Sequence, residues 1–367
     1  MKVPYVDLSR DFKINKSVYM DIVEEVGEAG KIYEGEYVTV LEEKMASYCD
    51  RKYGIAVSSC TDALRFALDF FVSMDEEVIV PSYSFIASAS CILHHRARPV
   101  FVDVNPSTYM IDINEIEKNI TKRTAALIAV DLFGNTLPFN ELESIADRYS
   151  LGLIEDAAQS YGAIQGFRTA GSMGDISCIS FDPVKNLGSI GSGGMLLTDD
   201  KIIADECRAM RNHGKMIGSS EHILLGSKSK MTTMEAGILL AKLKKLPSNN
   251  KRRSIIAKMY IDGLKDIDKI SLPEEKYYPE SIWNKFVMVV ENKKTLSSFL
   301  IKNGIETKDI YSMPLYKEPI FEEFGSWNIN QHAVEKITAG NIALPIFPEL
   351  TDDEVNYVIE TIRNFYI

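Results

Sequence analysis

The segment Ser180–Gly194, with the sequence SFDPVKNLGSIGSGG, places one lysine, Lys185, on a short polar turn between two apolar runs. These runs are residues 176–181 and, after a glycine pair, residues 195–197. A lysine between a strand end and a glycine-rich bend lies where the backbone can approach a ligand closely. Asp156 stands upstream, at the end of the apolar run LGLIEDAA. A lysine and a carboxylate, each at a strand end, suit a pyridoxal phosphate (PLP) enzyme, because the lysine forms the Schiff base and the carboxylate holds the pyridinium proton.

Both residues also have ordinary interpretations. Most lysines on turns are solvated, but Ser180 and the glycines around Lys185 favour a functional one. Burial and neighbouring groups would supply the neutral amine that this chemistry needs. Asp156 and Gln159 follow a predicted strand, where ligands of open α/β sheets bind. Alternatively, Glu155 or Asp156 caps a following helix. The sequence alone leaves these two interpretations of Asp156 open.

Two further segments could hold parts of a flat, phosphorylated cofactor. Cys60 and Thr61 follow the predicted strand GIAVS and open a helix, whose free N–H groups would form a phosphate site. The alternative is an ordinary N-cap by Thr61 or Asp62. Phe85 follows another strand, where an aromatic ring can stack on a cofactor, although most such residues only fill the core.

The elements that must position these residues alternate between short apolar runs and helical patterns from about residue 54 to residue 200. Buried strands joined by helices indicate an α/β fold with a mainly parallel sheet. The last strand follows the glycine turn with no room for a helix, so we expect it to be antiparallel to its neighbour. The predicted strands are 54–58, 77–81, 99–104, 125–130, 152–155, 176–181 and 194–198.

The pattern changes after residue 200, where helical stretches dominate. They are predicted at 201–213 and at 232–265, the latter interrupted at Pro247, and a terminal helix is capped by Thr351. This part indicates a smaller α+β domain. We therefore expect a large cofactor-binding domain over residues 1–245 and a small C-terminal domain over residues 246–367.

Length and composition exclude several classes of protein. A chain of 367 residues is long for a single core, which favours two domains. The net charge of −11 argues against nucleic acid and anionic membranes as partners. No run is long enough to span a membrane, and the first residues do not resemble a signal peptide. The five cysteines are scattered, which predicts reduced thiols in a cytoplasmic protein, and no metal site is expected.

Taken in order, these motifs resemble the DegT/DnrJ/EryC1/StrS family of PLP-dependent sugar aminotransferases, which share the fold of aspartate aminotransferase (PLP fold type I). No single motif is specific, but the ordered set is, and it covers nearly the whole chain. The matching segments are VPYVDLSRDF, GKIYEGEYVTVLEEKMASYC, SSCTDALRFAL, EVIVPSYSFIASAS, ARPVFVDVNPSTYMID, DLFGN, EDAAQSYGA, the long segment 171–200, RAMRNHGK and ALPIFPELTDDEV.

The resemblance implies a role for each candidate residue. Lys185 would be the Schiff-base lysine and proton shuttle, and Asp156 would pair with the pyridinium. An amino acid, expected to be L-glutamate, would charge the cofactor, which would then aminate a nucleotide-linked keto sugar for amino-sugar, surface polysaccharide or glycoside biosynthesis. The family builds each active site from two chains, which implies a homodimer. The other implied cofactor contacts are Gln159 and Phe85 on the ring, and Cys60, Thr61 and Ser180 on the phosphate.

Several positions differ from the family pattern. Lys228 and Lys230 stand where the family usually has an asparagine and an arginine, and the asparagine reaches the partner chain's phosphate. A lysine can still bind phosphate as a point charge, so Lys228 is a candidate contact across the dimer. Asp182 replaces a frequent aromatic residue and Tyr316 a frequent histidine, which makes both candidate substrate residues. Cys60 stands where the family usually has glycine. Tyr161 and Asp131 stand where the family often has histidine.

Two alternatives belong to other functional classes. A PLP-dependent sugar dehydratase is one, although relatives with that chemistry replace the lysine with histidine, and Lys185 argues against it. The other is a regulatory or binding protein that kept the fold without transaminase activity. The intact set of Asp156, Ser180 and Lys185 disfavours it. The departures at Asp182, Lys228 and Lys230 leave it open.

Overall fold

The computed structural model describes residues 1–216, 218–278, 280–324 and 331–366. In these ranges short 3-10 helices span Glu117–Asn119, Glu275–Tyr277, Leu315–Lys317 and Pro319–Phe324. The α-helices are α1 (Leu8–Ala29), α2 (Glu36–Tyr48), α3 (Cys60–Leu68), α4 (Ala87–Leu93), α5 (Ile113–Ile116), α6 (Phe139–Tyr149), α7 (Lys201–Met210), α8 (Thr233–Leu243), α9 (Leu246–Leu264), α10 (Lys293–Lys302), α11 (His332–Gly340) and α12 (Asp352–Tyr366). The β-strands are β1 (Tyr53–Val57), β2 (Glu77–Pro81), β3 (Arg98–Val102), β4 (Thr124–Val130), β5 (Gly152–Asp156), β6 (Ile164–Gln165), β7 (Arg168–Thr169), β8 (Ile176–Ser180), β9 (Gly194–Thr198), β10 (Ile270–Ser271), β11 (Phe286–Val290) and β12 (Asn341–Leu344).

A seven-stranded sheet forms the centre of the first two thirds of the chain, in the order β1-β9-β8-β5-β4-β2-β3. The pairs from β8 to β3 are parallel, whereas β9 runs antiparallel to both β1 and β8. The prediction of a mainly parallel sheet with an antiparallel last strand is therefore confirmed. All residues of β2, β5 and β9 are buried, which explains why these strands are continuous apolar runs rather than alternating ones.

Helix boundaries follow local capping rules. The interruption predicted at Pro247 is the start of a new helix, because α8 ends at Leu243 and Pro247 occupies the first turn of α9. Thr351 caps α12 as predicted. Its Oγ1 accepts a hydrogen bond from Glu354 N at 3.2 Å, and Glu354 Oε2 accepts one from Thr351 N at 2.9 Å. Together these bonds form a capping box.

A three-stranded antiparallel sheet, β10-β11-β12, belongs to the C-terminal part. A second apolar core, which includes Tyr260, Phe286 and Val358, joins it to α9 and α12. Val3 also lies in this core, and its N–H donates to Gly304 O at 2.8 Å. We propose a domain boundary between α8 and α9, as the sequence suggested, with the first residues of the chain attached to the small domain.

The sequence also makes predictions about the state of the cysteines and about membrane-spanning segments. All five cysteines are free and buried. Burial raises the pKa of each thiol, so that they behave as small apolar side chains rather than nucleophiles. Among the described residues, no helix combines the length and the apolar character that crossing a membrane would require.

Candidate active site

A cavity of about 490 Å³ lies at the carboxyl ends of β4, β5 and β8. This is the edge at which open α/β sheets bind their ligands, since the loops that follow parallel strands meet there. The sheet order places β5 between β4 and β8, which brings together side chains distant in sequence. The predicted site residues that line the cavity are Cys60, Thr61, Phe85, Asp156, Gln159, Ser180, Asp182 and Lys185.

Asp156, the last residue of β5, is a buried carboxyl group in the cavity wall. Its Oδ2 accepts a hydrogen bond from Ser88 Oγ at 2.6 Å, and its Oδ1 accepts one from Ala158 N at 3.2 Å. Burial raises the pKa of Asp156, while the Ser88 hydrogen bond opposes that shift. A cation placed against this carboxyl group would therefore favour its ionised form.

The competing interpretation, in which Glu155 or Asp156 caps a helix, is wrong. The chain after β5 forms a turn and continues into β6, with no helix in the described residues between them. Successive side chains of a strand point to opposite faces of the sheet, so the carboxyl groups of Glu155 and Asp156 lie on different faces. Glu155 Oε1 accepts a hydrogen bond from Gly171 N at 2.8 Å, and its Oε2 accepts one from Ser177 Oγ at 2.6 Å. Glu155 therefore orders a loop, whereas Asp156 faces the cavity.

The turn that carries Lys185 is held by two sets of hydrogen bonds. The N–H of Lys185 donates to the backbone oxygen of Asp182 at 2.9 Å. The next residue, Asn186, donates from its side chain to Asn250 Oδ1 at 2.8 Å and to Ile282 O at 2.9 Å. The lysine backbone is thereby anchored to α9 and to the segment that leads into β11. Such anchoring fixes the origin of the lysine side chain.

The Lys185 ammonium group is in an environment that favours its neutral form. Burial lowers the pKa of Lys185, and Coulombic interactions with Cys60, Asp156 and Asp182 oppose that shift. A lysine nucleophile needs this neutral fraction, because the protonated amine has no lone pair with which to attack a carbonyl. The cavity therefore holds an activated lysine together with the buried Asp156 carboxyl group.

The start of α3 forms the end of the cavity near Cys60 and Thr61. Ser59, not Thr61 or Asp62, is the N-cap, and its Oγ accepts a hydrogen bond from Asp62 N at 3.1 Å. Ser192 also lines this end, and its Oγ donates to Ser58 O at 2.7 Å. Backbone N–H groups at a helix N-terminus, surrounded by hydroxyl groups, suit a phosphate.

Gly194 allows β9 to approach this helix start closely. A Cβ atom at Gly194 would lie 2.4 Å from Cys60 N and 2.4 Å from Ser59 C, both backbone atoms that cannot rotate away. We expect Gly194→Ala to displace the start of α3, lowering the free energy of unfolding by about 1–3 kcal/mol and weakening PLP binding. Urea unfolding and a PLP titration would measure both effects.

Gly27→Ala provides the matched control, because a Cβ at Gly27 meets nothing within 4 Å inside α1. That variant should be neutral or slightly more stable, since alanine restricts the unfolded chain. Equal behaviour of the two variants would contradict the close approach of β9 to α3.

Phe85 and Gln159 lie where a planar ring could be held. Phe85 lines the cavity and has 56% of the residue's surface exposed. Its aromatic ring is therefore accessible to a flat ligand that could stack on it. Gln159 is fixed at both ends of its amide. Its Oε1 accepts a hydrogen bond from Phe133 N at 3.1 Å, and its Nε2 donates to Tyr311 Oη at 2.9 Å.

Three predicted residues need separate comment. Asp182 lines the cavity and is exposed, and its Oδ1 accepts a hydrogen bond from Val184 N at 3.1 Å. Lys228 is exposed outside this chain's cavity, with its Nζ 5.4 Å from the ring centroid of Tyr33. Tyr316 does not line the cavity either; its buried ring belongs to the large core. The roles given to Lys228 and Tyr316 stay predictions.

Sequence reasoning missed several residues of this cavity. Ser88, on α4, donates to Asp156, and Tyr311 and Lys285 reach the cavity from the C-terminal part of the chain. Ser88 lies in the matching segment EVIVPSYSFIASAS, and Tyr311 opens the Pro- and Tyr-rich segment YSMPLYKEPIF. Lys285 precedes β11 and has no distinguishing motif.

The donor set fits PLP. The phosphate suits the helix start at Cys60 and Thr61, the ring nitrogen suits the buried carboxyl group of Asp156, and the aldehyde carbon suits the amine of Lys185. The exposed ring of Phe85 supplies an apolar face for the pyridine ring. The cavity thus offers a matching group for each part of the cofactor.

Comparisons with known proteins agree with this chemistry. A model of the DegT/DnrJ/EryC1/StrS aminotransferase family matches residues 14–363. A pleiotropic regulatory protein of Geobacillus stearothermophilus is 34% identical over 100% of this chain and 99% of its own length. The dTDP-3-amino-3,6-dideoxy-α-D-galactopyranose transaminase of Aneurinibacillus thermoaerophilus is 34% identical over 99% of both chains. The crystal structure of NtdA from Bacillus subtilis with bound cofactor PMP superposes with a TM-score of 0.91, at 30% identity over 99% of this chain and 85% of that one.

Proposed function

The chain belongs to the DegT/DnrJ/EryC1/StrS aminotransferase family, and we propose that its cavity at Lys185 is where an amino group passes from L-glutamate to a nucleotide-linked keto sugar. It is a PLP-dependent nucleotide-sugar transaminase with the fold of that family. The observation that carries the assignment of the site is the presence, in one cavity, of a lysine whose pKa is lowered by burial and a buried carboxyl group. We further propose that the product enters amino-sugar, polysaccharide or glycoside biosynthesis.

Each residue has a defined task in this proposal. Bound PLP supplies an electron-accepting ring, which makes the proton on the reacting carbon acidic. The Nζ atom of Lys185 takes that proton and returns it at the neighbouring carbon. The Asp156 carboxylate holds the proton on the ring nitrogen, and the hydrogen bond from Ser88 orients this carboxylate. Gln159 and Phe85 hold the ring plane, while Cys60, Thr61 and Ser180 bind the phosphate.

The proposal also includes a homodimer that shares its active sites. Ser229, which lies between Lys228 and Lys230, is buried, and its Oγ donates to Asp62 Oδ2 at 2.7 Å, next to the start of α3. The loop before it exposes Leu225, with 94% of the residue's surface accessible, as an apolar group for a second chain to cover. Lys228, exposed on this loop, would then reach the phosphate site of the partner.

Lys228→Ala should weaken PLP binding about tenfold, because one charge-assisted contact to phosphate is lost. The dissociation constant of PLP, from the quenching of protein fluorescence, would measure this change. Lys265→Ala is the control, since Lys265 directly follows the C-terminal end of α9 and pairs with Asp262 on the surface. Unchanged PLP affinity in a dimeric Lys228→Ala variant would place this lysine outside the cofactor site.

Spectra of the PLP-loaded protein test the proposed function. Addition of L-glutamate should convert the visible band of bound PLP into the near-ultraviolet band of PMP. A keto sugar linked to dTDP or UDP should then restore the first band and yield an amino sugar detectable by mass spectrometry. A band of bound PLP that L-glutamate leaves unchanged, together with no amination of any such sugar, would reject the proposal.

A regulatory role is the second candidate, because one full-length relative is named a pleiotropic regulatory protein. The same spectra separate the two candidates. A regulatory protein would bind PLP or a nucleotide sugar without exchanging the amino group. The lysine at position 185 argues against the dehydratase alternative, whose chemistry uses histidine there.

A further inference from the structure

Lys285 is a second lysine in the wall of the same cavity. It lies immediately before β11, and its N–H donates to Phe133 O at 3.4 Å. Phe133 in turn donates its N–H to Gln159, so Lys285 is attached to the loop that fixes the ring-holding glutamine. Among the described residues of the cavity wall, the cationic side chains are those of Lys185 and Lys285.

The position of Lys285 relative to Lys185 is fixed by asparagines. Asn284 Nδ2 donates to Asn186 Oδ1 at 2.9 Å, which joins the residue before Lys285 to the residue after Lys185. Asn186 also donates to Asn250 Oδ1 at 2.8 Å. The two lysines therefore extend from backbone segments that are bonded to each other. A cation on a backbone segment held in place in this way can select a ligand by position as well as by charge.

The Lys285 ammonium group has no partner in the described part of the chain, where it forms neither a hydrogen bond nor an ion pair. Burial, together with the charges of Lys185 and Arg253, lowers the pKa of Lys285 to about 7, and Asp182 opposes that shift. The side chain thus loses hydration without gaining a carboxylate in direct contact. An anion entering the cavity would supply the missing interaction and stabilise the ammonium form.

We propose that Lys285 binds a carboxylate of the substrate in this cavity, an inference that rests on the proposed aminotransferase function. Every amino acid donor brings a carboxylate on the reacting carbon, and a carboxylate that enters a cavity without a cationic partner loses much of its solvation. Lys185 is occupied with bond formation and proton transfer, which leaves Lys285 as the available cation of the cavity wall. The carboxylate belongs either to the amino donor or to an acidic keto sugar.

Half-reactions of the PLP-loaded enzyme test this proposal with two variants. Lys285→Met removes the charge at nearly constant length, and Lys285→Arg keeps it. The concentration of L-glutamate that gives half-maximal conversion of the PLP band should rise about ten- to hundredfold in Lys285→Met and recover in part in Lys285→Arg. Lys294→Met, an exposed position on α10, is the control and should behave like the unmodified protein.

The sugar half-reaction separates the two sources of the carboxylate. If the donor supplies it, a neutral nucleotide-linked keto sugar reacts with the PMP form of Lys285→Met at the original rate. If the sugar supplies it, glutamate reacts normally, and only a nucleotide-linked keto uronate loses reactivity. Either result supports the proposal. Unchanged constants for both substrates, or equal losses in Lys285→Met and Lys285→Arg, would overturn it.

A binding measurement makes the result independent of turnover. Glutarate has two carboxylates and no amino group, so it can occupy the cavity without reacting. Calorimetric titration of the PLP-loaded protein with glutarate should show binding that weakens about tenfold or more in Lys285→Met. If the unmodified protein fails to react with amino acids yet binds glutarate through Lys285, the proposed function fails while the carboxylate site stands. Equal glutarate affinity in the unmodified protein and Lys285→Met, together with an unchanged reaction of the nucleotide-linked keto uronate, would overturn the inference itself.

Discussion

Lys185→Ala is expected to abolish amino transfer while the protein remains folded. Burial lowers the pKa of Lys185, which shares the cavity with Asp156. Lys285, the other lysine of the described cavity wall, extends from the segment before β11, so we expect that it does not replace Lys185 at that position. Loss of the proton-transfer role alone removes about two to four orders of magnitude in rate. We therefore expect turnover to fall at least about a thousandfold.

The measurement is steady-state amination of a nucleotide-linked keto sugar, with circular dichroism to verify the fold. The backbone hydrogen bonds of the turn do not involve the lysine side chain, so folding should be preserved. Lys294→Ala, on the surface of α10, serves as the control for loss of a lysine. Turnover within tenfold of the original rate in Lys185→Ala would show that another residue carries the reaction.

Asp156→Ala is expected to have the second largest effect, on both cofactor binding and rate. The carboxyl group is buried and oriented by Ser88 at 2.6 Å, and a positively charged ring nitrogen would be its natural counter-charge. Removing such a preorganised charge costs about a hundred- to a thousandfold in rate. PLP affinity should fall in parallel, because the protonated ring loses its partner.

Two further variants separate charge from shape at this position. Asp156→Asn keeps the size of the side chain and should lose nearly as much rate as Asp156→Ala if the charge is what matters. Ser88→Ala removes one hydrogen bond and should cost only about tenfold, since the charge remains. A fully active Asp156→Asn variant would mean that the carboxylate does not hold the ring proton.

Much of the sheet was predictable because its strands are buried on both faces. The run GLIE predicted β5, and the sheet order then placed Asp156 beside Cys178 of β8, two residues before that strand ends at Ser180. The pattern of the run alone did not distinguish Glu155 from Asp156, because that depends on which face of the strand meets the cavity; the family resemblance indicated Asp156. A single residue of register reverses that choice.

The residues that sequence reasoning missed come from distant parts of the chain. Lys285 precedes a strand of the small domain and is indistinguishable in sequence from a solvated lysine until the chain folds back onto Phe133. Tyr311 has a positive φ of 58° and meets Gln159 through its hydroxyl group, neither of which a pattern reveals. Tyr316, in contrast, was a candidate from resemblance alone, and its ring packs with Phe101 in the core.

One measurement tests the central assignment most directly, because the cavity wall contains two lysines and only one should form the bond to the cofactor. The PLP-loaded protein is reduced with borohydride, which makes the lysine linkage permanent, and is then digested and mapped by mass spectrometry. We predict that the pyridoxyl label lies on Lys185, in the peptide that contains SFDPVKNLG. A label on Lys285, or no label in the cavity, would contradict the assignment of Lys185 as the reacting lysine.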